Sequence, residues 1–286
     1  MPKSILGAVL PVVLVACAVP VLGATFTSID VPGATSTSAW GINSEGDIVG
    51  SYDMGEVRHG FVRSDGIFTT IDVEEATSTV PWGINPQGDI VGFYRTPDMP
   101  NGPRGFVWSD GIFTTIEIPE TILNTVRGTD ARGDLVGYYR TDNGGRGYLL
   151  SRGTLSTIEV PGTDPSFTSP FGINRQGDIV GTYVVDTVSH GFVLSGGAFT
   201  TIDFPGASDT YAYGNNNRGD IVGTYRADGL FHGFVRTHGT FTTIDFPGAE
   251  VTSGQGINTR GDIVGFYQMG GVEHGFLLAR DETCTP

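Results

Sequence analysis

Residues 41–52 read Gly-Ile-Asn-Ser-Glu-Gly-Asp-Ile-Val-Gly-Ser-Tyr, and residues 59–62 follow with His-Gly-Phe-Val. Near-copies of both stretches return along the whole remaining chain, each copy preceded by a segment resembling Phe-Thr-Thr-Ile-Asp. A fixed period of roughly 40–45 residues is typical of architectures in which every repeat is one small structural unit. The six copies open at Phe26, Phe68, Phe113, Leu155, Phe199 and Phe241.

Each copy consists of short runs of β-branched and aromatic residues bounded by Gly, Asn, Asp or Pro, with no helical periodicity. Such runs predict four short strands in every copy. Four strands in each of six copies predict an all-β fold, a six-bladed β-propeller of four-stranded antiparallel blades.

The turns predict the order of strands within a blade. Asp65-Gly66 is a two-residue hairpin signal, whereas the longer Pro-Gly-Ala loop is of the kind that crosses between blades. On this phasing the chain starts with an outermost strand at 26–30 and ends with three inner strands at 256–279. We therefore expect the ring to close as one strand plus three, in a domain over 25–280 with a loose tail at 281–286.

The N-terminus has the pattern of an export signal. Lys3 precedes an apolar run, and residues 1–24 read as a signal peptide that is cleaved after Ala24. Alternatively, Leu-Val-Ala-Cys at 14–17 looks like a bacterial lipobox, in which 1–16 are removed and Cys17 is lipidated. Both alternatives predict a secreted or lipid-anchored protein at the cell surface or outside the cell, with no transmembrane segment after processing.

Composition restricts the partners and the chemistry. The net charge is −15, from 31 acidic and 16 basic side chains, which argues against nucleic acid as a partner. Two cysteines cannot form a zinc site or a disulfide framework. No nucleophile elbow, zinc-protease motif or phosphate-binding loop is present, so we predict no catalytic residue, no cofactor and no metal. We expect a monomer that binds a neutral or cationic ligand, either a carbohydrate or a protein.

The hairpin register predicts a recurring charge pair across the third and fourth strands of each blade. Counting outward from Asp65-Gly66 places His59 opposite Asp72. One interpretation is an acid–base pair for proton transfer; the favoured one is a structural ion pair, because an active site is rarely copied into every repeat. The remaining pairs are Arg104–Glu117, Arg146–Glu159, His190–Asp203, His232–Asp245 and, across the ring closure, His274–Asp30.

A second recurring acid follows the hairpin glycine between the first two strands. Calcium sites need several oxygens within one short stretch, whereas each of these turns offers one Asn or Asp and one Asp, so turn formation is the favoured interpretation. The six acids are Asp47, Asp89, Asp134, Asp178, Asp220 and Asp262.

Variation is concentrated at one end of the predicted propeller, where two loop types carry all insertions and where binding usually resides. The residue before the innermost strand's glycine also varies in kind, at the expected mouth of the tunnel. These residues could form a stacking platform for a sugar or another flat ligand, or they could simply pack between blades. They are Trp40, Trp82, Arg127, Phe171, Tyr213 and Gln255.

The repeated Gly-Ile-Asn-x-x-Gly-Asp-Ile-Val-Gly followed by His-Gly-Phe resembles the HAF-repeat family of extracellular repeat proteins. The resemblance covers Phe26 to Leu278, with glycine in place of the family's alanine and with arginine in place of histidine at Arg104 and Arg146. It implies export from a bacterium and a propeller-like fold, and it brings no catalytic residue or cofactor.

These observations predict an exported, non-catalytic binding module whose ligand lies on the face with the variable loops. The first alternative is an extracellular hydrolase or lyase acting on a carbohydrate or lactone, which needs carboxylates such as Asp98, Asp164 or Asp209 to converge over the tunnel. The second alternative is a structural surface or matrix protein, favoured if that face has no concave pocket.

Overall fold

The computed structural model describes residues 24–99, 101–164 and 167–280. The predicted signal peptide up to residue 23, Cys17 and the tail at 281–286 lie outside these residues. The described chain contains 24 β-strands and no α-helix. Within it, no helix has the length and apolar character needed to cross a membrane.

The strands fall into four kinds according to their position in the repeat. The first strands are β2 (Ser36–Ile42), β6 (Ser78–Ile84), β10 (Leu123–Thr129), β14 (Ser169–Ile173), β18 (Asp209–Asn215) and β22 (Val251–Ile257). The second strands are β3 (Ile48–Met54), β7 (Ile90–Arg95), β11 (Leu135–Thr141), β15 (Ile179–Val185), β19 (Ile221–Ala227) and β23 (Ile263–Met269).

The third and fourth strands complete each repeat. The third strands are β4 (Val57–Ser64), β8 (Arg104–Ser109), β12 (Gly144–Ser151), β16 (Val188–Ser195), β20 (Leu230–Thr237) and β24 (Val272–Arg280). The fourth strands are β5 (Ile67–Ile71), β9 (Ile112–Ile116), β13 (Thr154–Ile158), β17 (Ala198–Ile202), β21 (Thr240–Ile244) and β1 (Ala24–Ile29).

The strands form five sheets, where the sequence predicts six. Four sheets have four antiparallel strands, and the fifth has eight. The eight-stranded sheet consists of two antiparallel series, β2 to β5 and β6 to β9, joined by one parallel pair between Arg58 and Ser78. This single bridge is the reason for the difference from the predicted number.

The N-terminal strand pairs with the C-terminal one. β1 runs antiparallel to β24 in the order β1-β24-β23-β22, with Ala24 opposite Arg280 and Ile29 opposite Gly275. The sheet therefore has one strand from the start of the chain and three from its end, as the strand phasing predicts.

Apolar packing joins each repeat to the next one. The valine of Asp-Ile-Val-Gly is fully buried, and it packs against buried residues of the following repeat. Val49, for example, packs with Ile90 and Phe106, and Val264 of the last repeat packs with Ile42 and Phe61 of the first. Burying a valine side chain stabilises by about 1.5–3 kcal/mol, so these contacts link all repeats.

Glycines set the distance between neighbouring first strands. A Cβ on Gly128 would lie 2.4 Å from the carbonyl oxygen of Phe171 in the next repeat, which is too close for any side chain. The equivalent approach of Gly256 is to Trp40, at the opposite end of the chain, where a Cβ would lie 2.9 Å from the carbonyl oxygen. The repeated Gly-Ile-Asn motif is thus the place where adjacent backbones meet.

We expect Gly128→Ala to lower the free energy of unfolding by about 1–3 kcal/mol, the usual cost of an overpacked site. Gly83→Ala is the matched control, because its Cβ would lie 3.1 Å from Val91 Cγ2 and 3.2 Å from the Arg127 carbonyl oxygen, leaving more room. Urea unfolding of both variants measures the difference. An equal loss in the two variants would contradict the role assigned to the close backbone approach.

Candidate functional site

A β-bulge holds each of the six variable residues. In every first strand the register to the second strand shifts at this residue, as between Ala39 and Gly41 on either side of Trp40. A bulge leaves one residue unpaired and changes the direction of its side chain. The same shift occurs at Trp82, Arg127, Phe171, Tyr213 and Gln255.

These six side chains line one cavity, here called the central cavity, together with Ser253 and Phe266. Its volume is about 300 Å³, at the lower end of the range for small-molecule sites. The structure thus brings together residues that are far apart in sequence and that share only their place in the repeat.

Aromatic rings and one guanidinium form a continuous wall of the central cavity. The Cζ atom of Arg127 lies 4.2 Å from the ring centroid of Phe171 and 5.0 Å from that of Trp82. Phe171 in turn meets Tyr213 edge to face, with centroids 5.0 Å apart. Arg127 is therefore held between two aromatic faces, an arrangement that attracts a cation and fixes its position.

The charge of Arg127 has no acidic partner among the described residues. Its Nε and Nη1 atoms are buried without a hydrogen bond, although the side chain as a whole is partly exposed. Burial lowers the pKa of Arg127 to about 10, so the guanidinium remains charged at neutral pH. Buried donors of a charged group that lack a hydrogen bond lower the stability of the folded protein. Arg127 is therefore the residue of the central cavity whose presence most needs an explanation.

The opposite side of the central cavity satisfies its own polar groups. Gln255 Nε2 donates to Ser253 Oγ at 2.6 Å, and Trp40 Nε1 donates to Ser51 Oγ at 3.0 Å. Ser253 Oγ also lies 2.5 Å from Thr224 Oγ1. Among the residues lining the central cavity, buried side-chain polar atoms without a hydrogen bond are found at Arg127.

A second cavity, here called the side cavity, adjoins the first one between the fifth and sixth repeats. Its volume is about 320 Å³. It shares Tyr213, Ser253 and Phe266 with the central cavity and adds Tyr211, Thr224, Phe231, Val251 and Gln268.

Sequence reasoning missed the side cavity, although the repeat alignment contains a signal for it. Where Tyr211 stands, two residues before the bulge, the other repeats have small or medium side chains: Ser38, Val80, Thr125, Ser169 and Ser253. Phe231 is likewise the single aromatic before the His-Gly position. Two large departures in one repeat mark this place as different from the regular scaffold.

The predicted charge pairs form in five of the six repeats. His59 Nδ1 lies 2.6 Å from Asp72 Oδ2, and Arg146 Nε lies 3.0 Å from Glu159 Oε1. The pairs His190–Asp203, His232–Asp245 and His274–Asp30 lie 2.8–3.0 Å apart. His59 also stacks on Tyr52, whose hydroxyl bonds to Thr70 on the fourth strand. No member of these pairs lines the central cavity, so the geometry favours a structural role.

The predicted pair of Arg104 with Glu117 is wrong. Arg104 Nη1 donates instead to the carbonyl oxygen of Ile122 at 2.7 Å, and no ion pair joins Arg104 to Glu117. The backbone register is as counted, with Gly105 opposite Ile116, but Asn124 accepts the Gly105 N–H that an acid accepts in the first repeat. The guanidinium of Arg104 therefore bonds to the carbonyl oxygen of Ile122 in the loop and not to the carboxylate of Glu117.

The acids that follow the hairpin glycine belong to the turns. Asn43 Oδ1 accepts the backbone N–H groups of Glu45, Gly46 and Asp47, and its Nδ2 donates to Asp47 Oδ2 at 2.9 Å. The same Asn-to-Asp bond recurs at Asp89, Asp178, Asp220 and Asp262. In the third repeat Arg132 bridges Asp130 and Asp134.

The carboxylates considered for catalysis do not reach the central cavity. Asp98 accepts a hydrogen bond from Thr96, and Asp209 accepts from Ser208 and from the Ser189 backbone. Neither of them nor Asp164 lines the cavity. Across the described residues, no group of three or more His, Cys, Asp or Glu side chains is arranged to hold a metal ion.

Solved structures share the fold of this chain. TolB from Acinetobacter baumannii is 10% identical over 87% of this chain and 65% of its own, with a TM-score of 0.56. A putative gluconolactonase is 13% identical over 91% and 93%, with a TM-score of 0.53. Virginiamycin B lyase from Staphylococcus aureus is 13% identical over 90% and 99%, with a TM-score of 0.51.

At these identities the likeness shows the fold alone, which is that of a β-propeller. No protein-family model matches the chain, and no curated protein matches it significantly.

We expect Glu159→Gln to lower the free energy of unfolding by about 0.2–1 kcal/mol, because it removes an exposed ion pair with Arg146. Glu117→Gln is the matched control, since its acid has no such pair, and it should leave stability unchanged. Urea unfolding at low salt and in 1 M NaCl tests both, because salt screens the pair and should reduce the difference. A loss at Glu117 as large as that at Glu159 would contradict this account.

Proposed function

We propose that the repeats close into a ring, a six-bladed β-propeller in which the eight-stranded sheet represents two blades. The pairing of β1 with β24 supports closure. So do the packing of Val264 against the first repeat and the approach of Gly256 to Trp40. The packing of Val264 and the approach of Gly256 are contacts that each repeat makes with the next one, made here by the last repeat with the first.

We further propose that the protein is an exported HAF-repeat protein of a bacterium, secreted or anchored through Cys17. Lys3 and the apolar run that follows it support an export signal. Mass spectrometry of the mature N-terminus tests this, because cleavage after Ala24, acylation of Cys17 and an unprocessed chain have different masses.

The central cavity supports a role as a non-catalytic binding module. The observation that carries this proposal is that the six residues that vary in kind are each directed by a bulge into one shared cavity. An aromatic wall, a small polar set and a volume of about 300 Å³ are typical of a site for a small ligand or a sugar unit.

The alternatives receive less support from the same geometry. A hydrolase or lyase is suggested by the names of the lyase and gluconolactonase of similar fold. That chemistry needs an acid or base at the ligand. In the described part of the chain no carboxylate or histidine lines the central cavity, and burial raises the pKa of its tyrosine, Tyr213, away from neutral pH. A purely structural protein would have no need for such a cavity.

Tryptophan fluorescence provides a direct test of the site. The chain has three tryptophans, of which Trp40 and Trp82 line the central cavity and Trp108 packs on an outer cluster. A screen of glycans and small molecules should therefore yield a ligand that changes the emission of the wild type. The change should persist in Trp108→Phe and disappear when both Trp40 and Trp82 are replaced by Phe.

The triple variant Trp40→Ala, Trp82→Ala, Tyr213→Ala should lose binding of that ligand while keeping the β-rich circular dichroism spectrum. Trp108→Ala removes a similar aromatic surface away from the cavity and serves as the control. Binding that survives in the folded triple variant, or a signal that depends on Trp108, would place the ligand elsewhere.

A further inference from the structure

The central and side cavities adjoin and are together called the groove. Three residues, Tyr213, Ser253 and Phe266, line both cavities. Each cavity alone is near the lower limit for a small-molecule site. A ligand that occupies both must be longer than either and must extend from the centre towards the fifth and sixth repeats.

Aromatic faces continue along the groove. The rings of Tyr211 and Tyr213 are nearly parallel, at 14°, with centroids 6.1 Å apart, and Phe231 follows at 6.3 Å from Tyr211. Rigid aromatic side chains offer large contact areas at a low cost in conformational entropy. Successive aromatic rings on one groove suit a ligand built of successive rings, such as an oligosaccharide with its apolar C–H faces.

The charge in the groove is positive. Arg127 lines the central cavity and is partly exposed there, and no acidic side chain lines either cavity among the described residues. The net charge of −15 repels anions at long range, but the Debye length at physiological salt is only about 8 Å. A bound anion therefore interacts mainly with the guanidinium beside it.

We propose that the groove binds an acidic oligosaccharide, with its carboxylate on Arg127 in the central cavity and the adjoining sugar on Tyr211 and Phe231. The inference rests on the proposed function and makes it more specific, because it gives the ligand both a charge and a minimum length. Sequence alone leads to the expectation of a neutral or cationic ligand. The guanidinium of Arg127, which has no acidic partner among the described residues, instead favours an anionic ligand.

Matched probes test the charge and the length separately. Trigalacturonate is compared with its methyl ester and with galacturonic acid, and sialyllactose with its methyl ester and with sialic acid, by titration of the tryptophan fluorescence. We expect at least one acidic oligosaccharide to bind about tenfold or more tightly than its uncharged counterpart, as for hydrogen bonds to charged groups. The corresponding single acidic sugar should bind about tenfold more weakly, because it leaves the side cavity empty.

Variants assign these effects to residues. Arg127→Met keeps an unbranched side chain between Trp82 and Phe171 and should abolish the preference for the charged probe, whereas Arg127→Lys should retain part of it. Tyr211→Ser and Phe231→Ser introduce the residue found at those positions in other repeats, Ser38 and Ser189. They should fold normally and reduce trisaccharide binding to the level of the single sugar.

The melting temperature of Arg127→Met gives a second readout. Removing a desolvated charge without an ionic partner should leave the melting temperature unchanged or raise it. A fall of several degrees with an unaltered charge preference would show that Arg127 is a packing element, and the inference would be wrong.

Failure of this inference can be told apart from failure of the proposed function. Binding of neutral sugars, or of peptides through a carboxyl terminus, that still requires Trp40 and Trp82 would retain the binding module and overturn the acidic oligosaccharide. Absence of any fluorescence response from the whole set of sugars and small molecules would overturn both.

Discussion

The close approach of neighbouring first strands is the constraint on which the rest of the structure depends. At Gly41, Gly128 and Gly256 the next backbone lies so near that a Cβ would fall within 2.4–2.9 Å of a carbonyl oxygen. Only glycine permits this distance. The residue before each of these glycines leaves the ladder as a β-bulge. The motif that packs the scaffold is therefore also the place from which six side chains line the central cavity.

Under the proposed function, this arrangement separates stability from ligand recognition within the same short motif. Stability comes from parts that every repeat has: the glycine, the valine that packs in the next core, and the Asn–Asp turn. The residue at the bulge varies in kind between repeats, because its side chain takes no part in those contacts. An unpaired guanidinium such as Arg127 would be damaging in a small domain with one core. Here the many equivalent interfaces between repeats contribute favourable free energy that offsets this local cost.

The period of the repeat is enough to predict strands, hairpins and the pairing of the first strand with the last, because those features follow from local turn chemistry and strand count. It also predicts which acid faces His59, since a two-residue hairpin determines the register. The same counting fails at Arg104, because register places two backbones opposite each other and says nothing about a loop carbonyl such as that of Ile122. The number of sheets differs from the prediction for a similar reason, a single bridge between Arg58 and Ser78.

The sequence is enough to predict which residues form the candidate site, but not which contacts and hydrogen bonds they make. Sequence places Arg127 among aromatic residues at the tunnel mouth, but its contact with Phe171 and its missing hydrogen bonds depend on the distances across the cavity.

The side cavity shows what an unusual residue in the sequence cannot reveal, namely which other residues it contacts. Tyr211 and Phe231 are visible as departures from the repeat, yet only the fold brings them together beside Tyr213. In a repeat protein, the positions that deviate in a single copy are therefore those from which specificity must be argued, because the repeated positions are already committed to the scaffold.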